Sequence, residues 1–144
     1  MLANEVQLLV HLAATVDFNT RLSLALQMNT LGGLRVLAFA KTCTKLEAMV
    51  HTSTCYVNCI RKGRDVVNEE AIYPLSFDAE GMCKYILSLH ESEVDRESAR
   101  LLRETGFPNT YTLTKNIGER LVLKYKEHVP VVVVRPSIIG CSLQ

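Results

Sequence analysis

The run His128-Val-Pro-Val-Val-Val-Val-Arg135 constrains the fold more than any other stretch of the chain. β-Branched side chains are stiff at χ1 and pack well on a pleated surface, so four consecutive valines read as a strand. Arg135-Pro136-Ser137 stops it. The run does not alternate apolar with polar. Such a strand is expected to be buried on both faces, as in a parallel sheet flanked by helices. Parallel neighbours are joined by crossovers, usually helical, so the rest of the chain should alternate strands with helices.

It does. Val6–Ala14 is an apolar run ending in small residues and reads as a buried strand followed by a tight crossing. Leu22 to Lys41 repeats apolar residues near the helical period, at Leu22, Leu26, Leu34, Leu37 and Ala38. Gly32-Gly33 interrupts it, which predicts close packing on the sheet or a kink, at about 1 kcal/mol per glycine relative to alanine. Leu46–Cys55 reads as a second strand. Arg61–Glu80 is polar and reads as a surface loop; Ala79–Glu104 reads as one or two amphipathic helices ending near Gly106-Phe-Pro108. The mixed charges of Glu91–Arg103 form a solvated face with i,i+4 support rather than a catalytic set. The next helix starts with Asn109 or Thr110 as its cap and runs through Tyr125, with Ile117, Leu121, Val122 and Tyr125 on its apolar side. The fold class expected is α/β, part of a doubly wound, Rossmann-like parallel sheet.

Composition narrows the function. At 144 residues, 48% hydrophobic and a net charge of +1, the chain has material for a core and no charge bias pointing to nucleic acid. The longest apolar run falls far short of the roughly 20 residues a spanning helix needs, and no signal-peptide pattern opens the chain. The five cysteines, Cys43, Cys55, Cys59, Cys83 and Cys141, are odd in number. Cys55 and Cys59 lack a second pair or histidine partner at zinc-finger spacing, so free thiols in a reducing compartment and no metal are expected.

Tyr111 and Lys115 are the centre of the functional reading. Four residues apart on a helix, their side chains share a face. A phenol is a poor acid–base group at neutral pH, but a cation held beside it favours the phenolate. The pair is suited to proton transfer in carbonyl chemistry. Three strand ends are expected to gather beside it: His11–Val16, Ser53–Thr54 and Pro136–Ile138. Ala13 and Ala14 are small enough to let a ligand approach the backbone at the edge where open α/β sheets bind ligands. The hydroxyls of Thr52-Ser53-Thr54 suit either a carbonyl oxygen or a turn. His11 reads as a packed, hydrogen-bonded histidine, and Asn29 as a helix residue facing solvent or the sheet.

The set VHLAATVDF, Asn29 in a helix, HTSTCY, NTYTLTK and VVVVRPSIIG resembles an extended short-chain dehydrogenase/reductase. Within that superfamily it most resembles the fatty acyl-CoA reductases, the male sterility group of thioester reductases. The resemblance covers nearly the whole chain and implies roles. Tyr111 matches the catalytic acid and Lys115 the cation beside it that also bonds the nicotinamide ribose. Thr54 matches the residue that holds the substrate carbonyl oxygen, with Ser53 the alternative in that motif. Asn29 matches the helix Asn of the proton-relay tetrad. Ala13, Ala14 and Thr15 match the strand end against the adenosine part of the cofactor; Pro136, Ser137 and Ile138 match the loop beside the nicotinamide. The implied cofactor is NADPH. The implied reaction takes a long-chain acyl-CoA to a fatty alcohol, at a peroxisomal or endoplasmic reticulum membrane in the full-length enzyme.

One part of the pattern is missing. The family's Gly-rich turn of the GxxGxxG kind, which cradles a pyrophosphate at a helix N-terminus, has no counterpart here. The sequence therefore reads as a fragment: the C-terminal half of an NAD(P)-binding domain, lacking its N-terminal β-α-β half, with a helical insertion at about 61–108. Its partners would be the acyl-CoA and the remainder of the reductase, and alone it would be inactive. Two other readings stay open: another extended reductase of hydroxysteroid or carboxylic-acid type, and a non-catalytic half-fold that serves as an interaction module.

Overall fold

In a computed structural model of the chain, residues 2–61 and 70–140 are described. Cys141 and positions 62–69 of the expected surface loop lie outside the described residues. A 3₁₀ turn at Leu2–Asn4 precedes β1 (Leu8–His11). Then come α1 (Leu22–Ala25), a π-helical stretch (Leu26–Leu31) and α2 (Gly32–Ala40), continuous with one another. β2 (Ala48–Thr52) leads into a 3₁₀ turn (Cys55–Asn58), followed by α3 (Ala79–Ser88), α4 (Glu91–Thr105), α5 (Thr110–Tyr125) and β3 (Val131–Val134). The strands form one parallel sheet in the order β1-β2-β3, with His11 opposite His51 and His51 opposite Val133. This is the α/β architecture expected, with both expected outer strands shorter than their apolar runs.

Local chemistry sets the boundaries. Asn109 caps α5, its Oδ1 accepting from the Thr112 N–H at 2.9 Å. Asp78 caps α3 in the same way through the N–H groups of Glu80 and Gly81. The expected helical region before Gly106 is two helices, broken after Ser88, and α4 ends on Gly106 in the left-handed region at φ 78°. Its charged face is paired as expected, Arg100 with Glu97 and Glu104.

The sheet corrects one expectation. Opposed residues of parallel strands share a face, and Leu9, His11, Met49 and His51 turn toward α2 and α5. On the other face, Leu8, Val10, Val132 and Val134 are between 44% and 60% exposed. The valine run is therefore covered on one face only, because the described helices all pack on the same side or against each other. The main apolar core lies among the helices, around Leu26, Ile86, Leu113, Ile117 and Leu121, rather than around Val131–Val134. A smaller cluster of Leu37, Ala40, Met49 and Val129 joins α2 to the sheet. Tyr125 also departs from expectation: it sits at the surface, its hydroxyl 2.6 Å from Glu80 Oε2.

Candidate active site

The site is set by how closely α5 can approach the π-helical stretch. A Cβ on Gly118 would lie 2.6 Å from the Asn29 carbonyl oxygen, so only glycine permits this crossing. Gly33 does the same beneath α2, where a Cβ would come within 3.2 Å of both His51 and Val122. That is the close packing predicted for the Gly32-Gly33 stretch, and Gly33 alone provides it, since a Cβ on Gly32 would meet nothing nearer than 3.8 Å. The crossing buries Thr114, Lys115 and Glu119 of α5.

Each of these three side chains finds a partner. Lys115 Nζ donates to the Thr52 carbonyl at 2.7 Å. Burial pushes the Lys115 ammonium below the usual lysine range, and the carboxylate of Glu119 one turn along opposes the shift. Glu119 is itself held by a bidentate pair with Arg135 at the end of β3, one arm of which is 3.0 Å, and Arg135 also donates to the Ala71 carbonyl. Asn29 faces inward. Its Oδ1 accepts from the Thr15 N–H at 2.9 Å, and its Nδ2 donates to the Thr15 carbonyl at 3.2 Å and to Thr114 Oγ1 at 3.1 Å. The amide thus acts as a short strand that pins the segment following β1.

Beyond the end of β2 the ladder to β3 continues: Ser53 N–H donates to the Val134 carbonyl at 2.8 Å and Cys55 N–H to that of Pro136 at 3.0 Å. These bonds fix Pro136–Ile138 against Ser53 and Thr54. The result is a cavity of about 420 Å³ at the carboxyl edge of the sheet. It brings together Ala14, Ser53, Thr54, Tyr111, Lys115, Pro136, Ser137 and Ile138 from the expected set. Leu12, Val16, Phe18 and Ile139 give it an apolar rim. The Tyr111 ring leans on Phe18, centroids 5.5 Å apart. Ala13 lines a neighbouring groove instead, with His11 and Arg35, and Thr15 and Asn29 stand behind the cavity wall.

The two candidate hydroxyls differ. Thr54 Oγ1 caps the following 3₁₀ turn, accepting from the Tyr56 N–H at 3.3 Å, which is the turn role its composition also suggested. Ser53 is 2% exposed, and its Oγ has no partner among the described residues. A buried hydroxyl without a partner costs free energy, so its presence at a cavity wall marks a place where a ligand oxygen would fit. Among the described residues, no three His, Cys, Asp or Glu side chains gather where they could hold a metal ion.

The family described as male sterility protein matches residues 1–144. The chain belongs to this family. Among its relatives, the probable fatty acyl-CoA reductase 5 of Arabidopsis thaliana is 34% identical over 96% of the chain and 32% of its own length. Fatty acyl-CoA reductase 2 of Homo sapiens is 34% identical over 95% of the chain and 25% of its own length. The alcohol-forming fatty acyl-CoA reductase of Simmondsia chinensis is 32% identical over 97% of the chain and 32% of its own length. The chain thus spans about a quarter to a third of the length of these male sterility relatives. Sequence reasoning missed Thr114, Glu119, Arg135 and Gly118, which hold the site's frame in this family member. For Thr114, Gly118 and Glu119 the only sequence signal is a polar or small residue on the inner face of α5; for Arg135 it is a charge directly after the valine strand.

Proposed function

We propose that this segment carries the reducing site of an NADPH-dependent enzyme that converts a long-chain fatty acyl-CoA to a fatty alcohol. On this reading the 144 residues are the C-terminal half of its NAD(P)-binding domain, and alone they do not turn over substrate. The observation that carries the proposal is the convergence of Tyr111, Lys115 and the unpartnered Ser53 hydroxyl on one cavity at the carboxyl edge of a parallel sheet. The names of the relatives supply the substrate class.

The residues fit a nicotinamide dinucleotide. An ammonium has three donors, and one of those on Lys115 is directed to Thr52, which leaves others for ribose hydroxyls. Ala14 offers little side chain to obstruct an approach to the backbone, and Pro136–Ile138 form the opposite wall. When bound, the dinucleotide supplies the hydride. The chain does the rest. As the carbonyl carbon is reduced, its oxygen gains negative charge, and the Ser53 or Thr54 hydroxyl donates a hydrogen bond to it. In the first reduction the C–S bond breaks and CoA leaves as a thiolate, which takes a proton from water, giving an aldehyde. In the second, the Tyr111 O–H gives its proton to the aldehyde oxygen, and the buried Lys115 ammonium stabilises the phenolate left behind. Asn29 holds the wall behind this pair through Thr15 and Thr114, the role nearest to the relay position expected of it. The apolar rim suits an acyl chain. Attachment of the full-length protein to a peroxisomal or endoplasmic reticulum membrane belongs to the proposal through family resemblance alone; among the described residues no helix is long and apolar enough to cross a membrane.

The test supplies the full-length protein with long-chain acyl-CoA and NADPH, with NADH in parallel. Fatty alcohol formed in step with NADPH consumption supports the proposal. Cofactor oxidation without a lipid product, or none at all, overturns it.

A further inference from the structure

Two buried histidines take no part in the chemistry above. His11 and His51 stand opposite each other in the β1–β2 pair, on the face covered by α2 and α5. Their rings stack at a centroid distance of 5.2 Å with 22° between planes, and their Nδ1 atoms are 3.1 Å apart. In a neutral imidazole one nitrogen donates and the other accepts. An Nδ1-to-Nδ1 bond therefore requires two different tautomers, one ring protonated at Nδ1 and the other at Nε2. The slot for the rings exists because position 33 is glycine: a Cβ there would lie 3.2 Å from His51 Cε1 and 3.6 Å from His11 Cε1.

The location of the pair gives it a consequence. His11 is the last residue of β1, and beyond it the chain runs to Ala13 and Ala14. One residue beyond His51 is the Thr52 carbonyl that accepts from Lys115, and two beyond is Ser53. The two rings thus join the strands at the last point before both enter the site. We propose that the His11–His51 pair is a positioning clasp, a neutral two-tautomer hydrogen bond that locks the carboxyl ends of β1 and β2 together and so fixes the carbonyl that orients Lys115. In its effect on turnover the clasp rests on the reading of Tyr111 and Lys115 as the reducing site; as a structural device it does not.

The surroundings keep the clasp neutral. Lys115 and Glu119 face it from α5, Glu119 being already paired with Arg135 from the end of β3, and Arg35 of α2 lines the groove beside His11. Burial first, then the neighbouring ring and the Lys115 cation, hold His51 down at about 4, with Glu119 opposing. His11 is lowered by burial and by Lys115. If both rings were protonated, neither Nδ1 could accept, and the clasp would open.

Long-range ¹H–¹⁵N spectra of the imidazoles in the folded full-length protein test the device itself. The expected result is one ring protonated at Nδ1 and the other at Nε2, with His51 unchanged as pH falls through the usual histidine value of about 6.5 and His11 titrating below that value. Two Nε2–H rings, or two rings titrating at the ordinary value, overturn it. Turnover by variants tests the effect. His51→Phe keeps the stacked ring and removes the bond, and should lower kcat by about tenfold or more while leaving the KM for acyl-CoA nearly unchanged. His51→Asn returns an amide to the Nδ1 position and should recover most of that loss. A His51→Phe enzyme with the parent's kcat overturns the clasp's effect on turnover. A tautomer result against the clasp, with activity still dependent on Tyr111, removes the clasp alone; a full-length protein indifferent to Tyr111 removes the site reading and leaves the clasp standing.

Discussion

Lys115 Nζ lies 2.7 Å from the main-chain oxygen of Thr52, so the helix that carries Tyr111 and Lys115 is tied to the strand that ends at the cavity. The bond fixes the direction of a buried cation that lines the cavity. Lys115→Ala removes both the anchor and the charge. In the full-length protein it should weaken NADPH binding by about 10- to 100-fold, the loss of a charged hydrogen bond at roughly 1.5–3 kcal/mol. Calorimetric titration reads this directly, and an unchanged Kd would contradict the placement. Because burial lowers the Lys115 pKa, activity that needs its ammonium should also fall on the alkaline side earlier than for an ordinary lysine.

Stability should drop on mild acidification. His51 is held near 4 in the fold, against about 6.5 unfolded, so between those values the unfolded chain binds more protons. The stabilisation is complete above about 6.5 and is lost as pH falls toward 4, by roughly 3 kcal/mol for this one group. His11, also lowered, adds to the loss in the same direction. Urea unfolding at a series of pH values measures it. A flat profile from pH 7 to pH 4 would contradict the buried, neutral pair.

Gly118→Ala should be more damaging than Gly33→Ala. The new carbon would meet backbone, the Asn29 carbonyl at 2.6 Å, and cannot be accommodated by turning a side chain. Overpacking of this kind costs roughly 1–3 kcal/mol. Gly33→Ala would meet side chains at 3.2 Å and should cost less. Thermal unfolding of the two variants gives the order, and the reverse order would mean that α5 and the π-helical stretch are not in backbone contact.

The bare face of the sheet predicts association. Leu8, Val10, Val132 and Val134 form an apolar strip across the sheet, and among the described residues nothing pairs with the outer edge of β1. The 144 residues expressed alone should self-associate, and Leu8→Lys with Val132→Lys should suppress it. Light scattering across a concentration series decides; a monomeric parent would mean the strip is covered.

Much of this arrangement was readable from the residues, for identifiable reasons. Valine stiffness marks β3, helical period marks the first long helix and α5, and the i,i+4 rule puts Tyr111 and Lys115 on one face. The convergence of three strand ends follows from parallel topology. Other features depend on contacts no local pattern encodes. The π-helical stretch arises where α5 crosses Asn29, and only the empty Cβ position of Gly118 records that crossing. The Thr54 hydroxyl caps a turn while Ser53 stays unpartnered, a distinction set by which way each residue faces at the strand end. The clasp depends on the register that sets His11 against His51, which lies 40 residues away in sequence. The valine run misled about burial because it reports what a strand tolerates on its two faces, not what the described helices cover.

The central claim is that Tyr111 delivers the proton in a carbonyl reduction. The most direct test is the initial rate of NADPH oxidation with a long-chain fatty aldehyde, the substrate of the step that uses the Tyr111 proton, for the full-length protein and its Tyr111→Phe variant. The ring and its contact with Phe18 remain, and only the hydroxyl is lost. The rate should fall by about 10²-fold or more, the usual contribution of a positioned acid, with acyl-CoA binding largely intact. A Tyr111→Phe enzyme as fast as its parent would contradict the account.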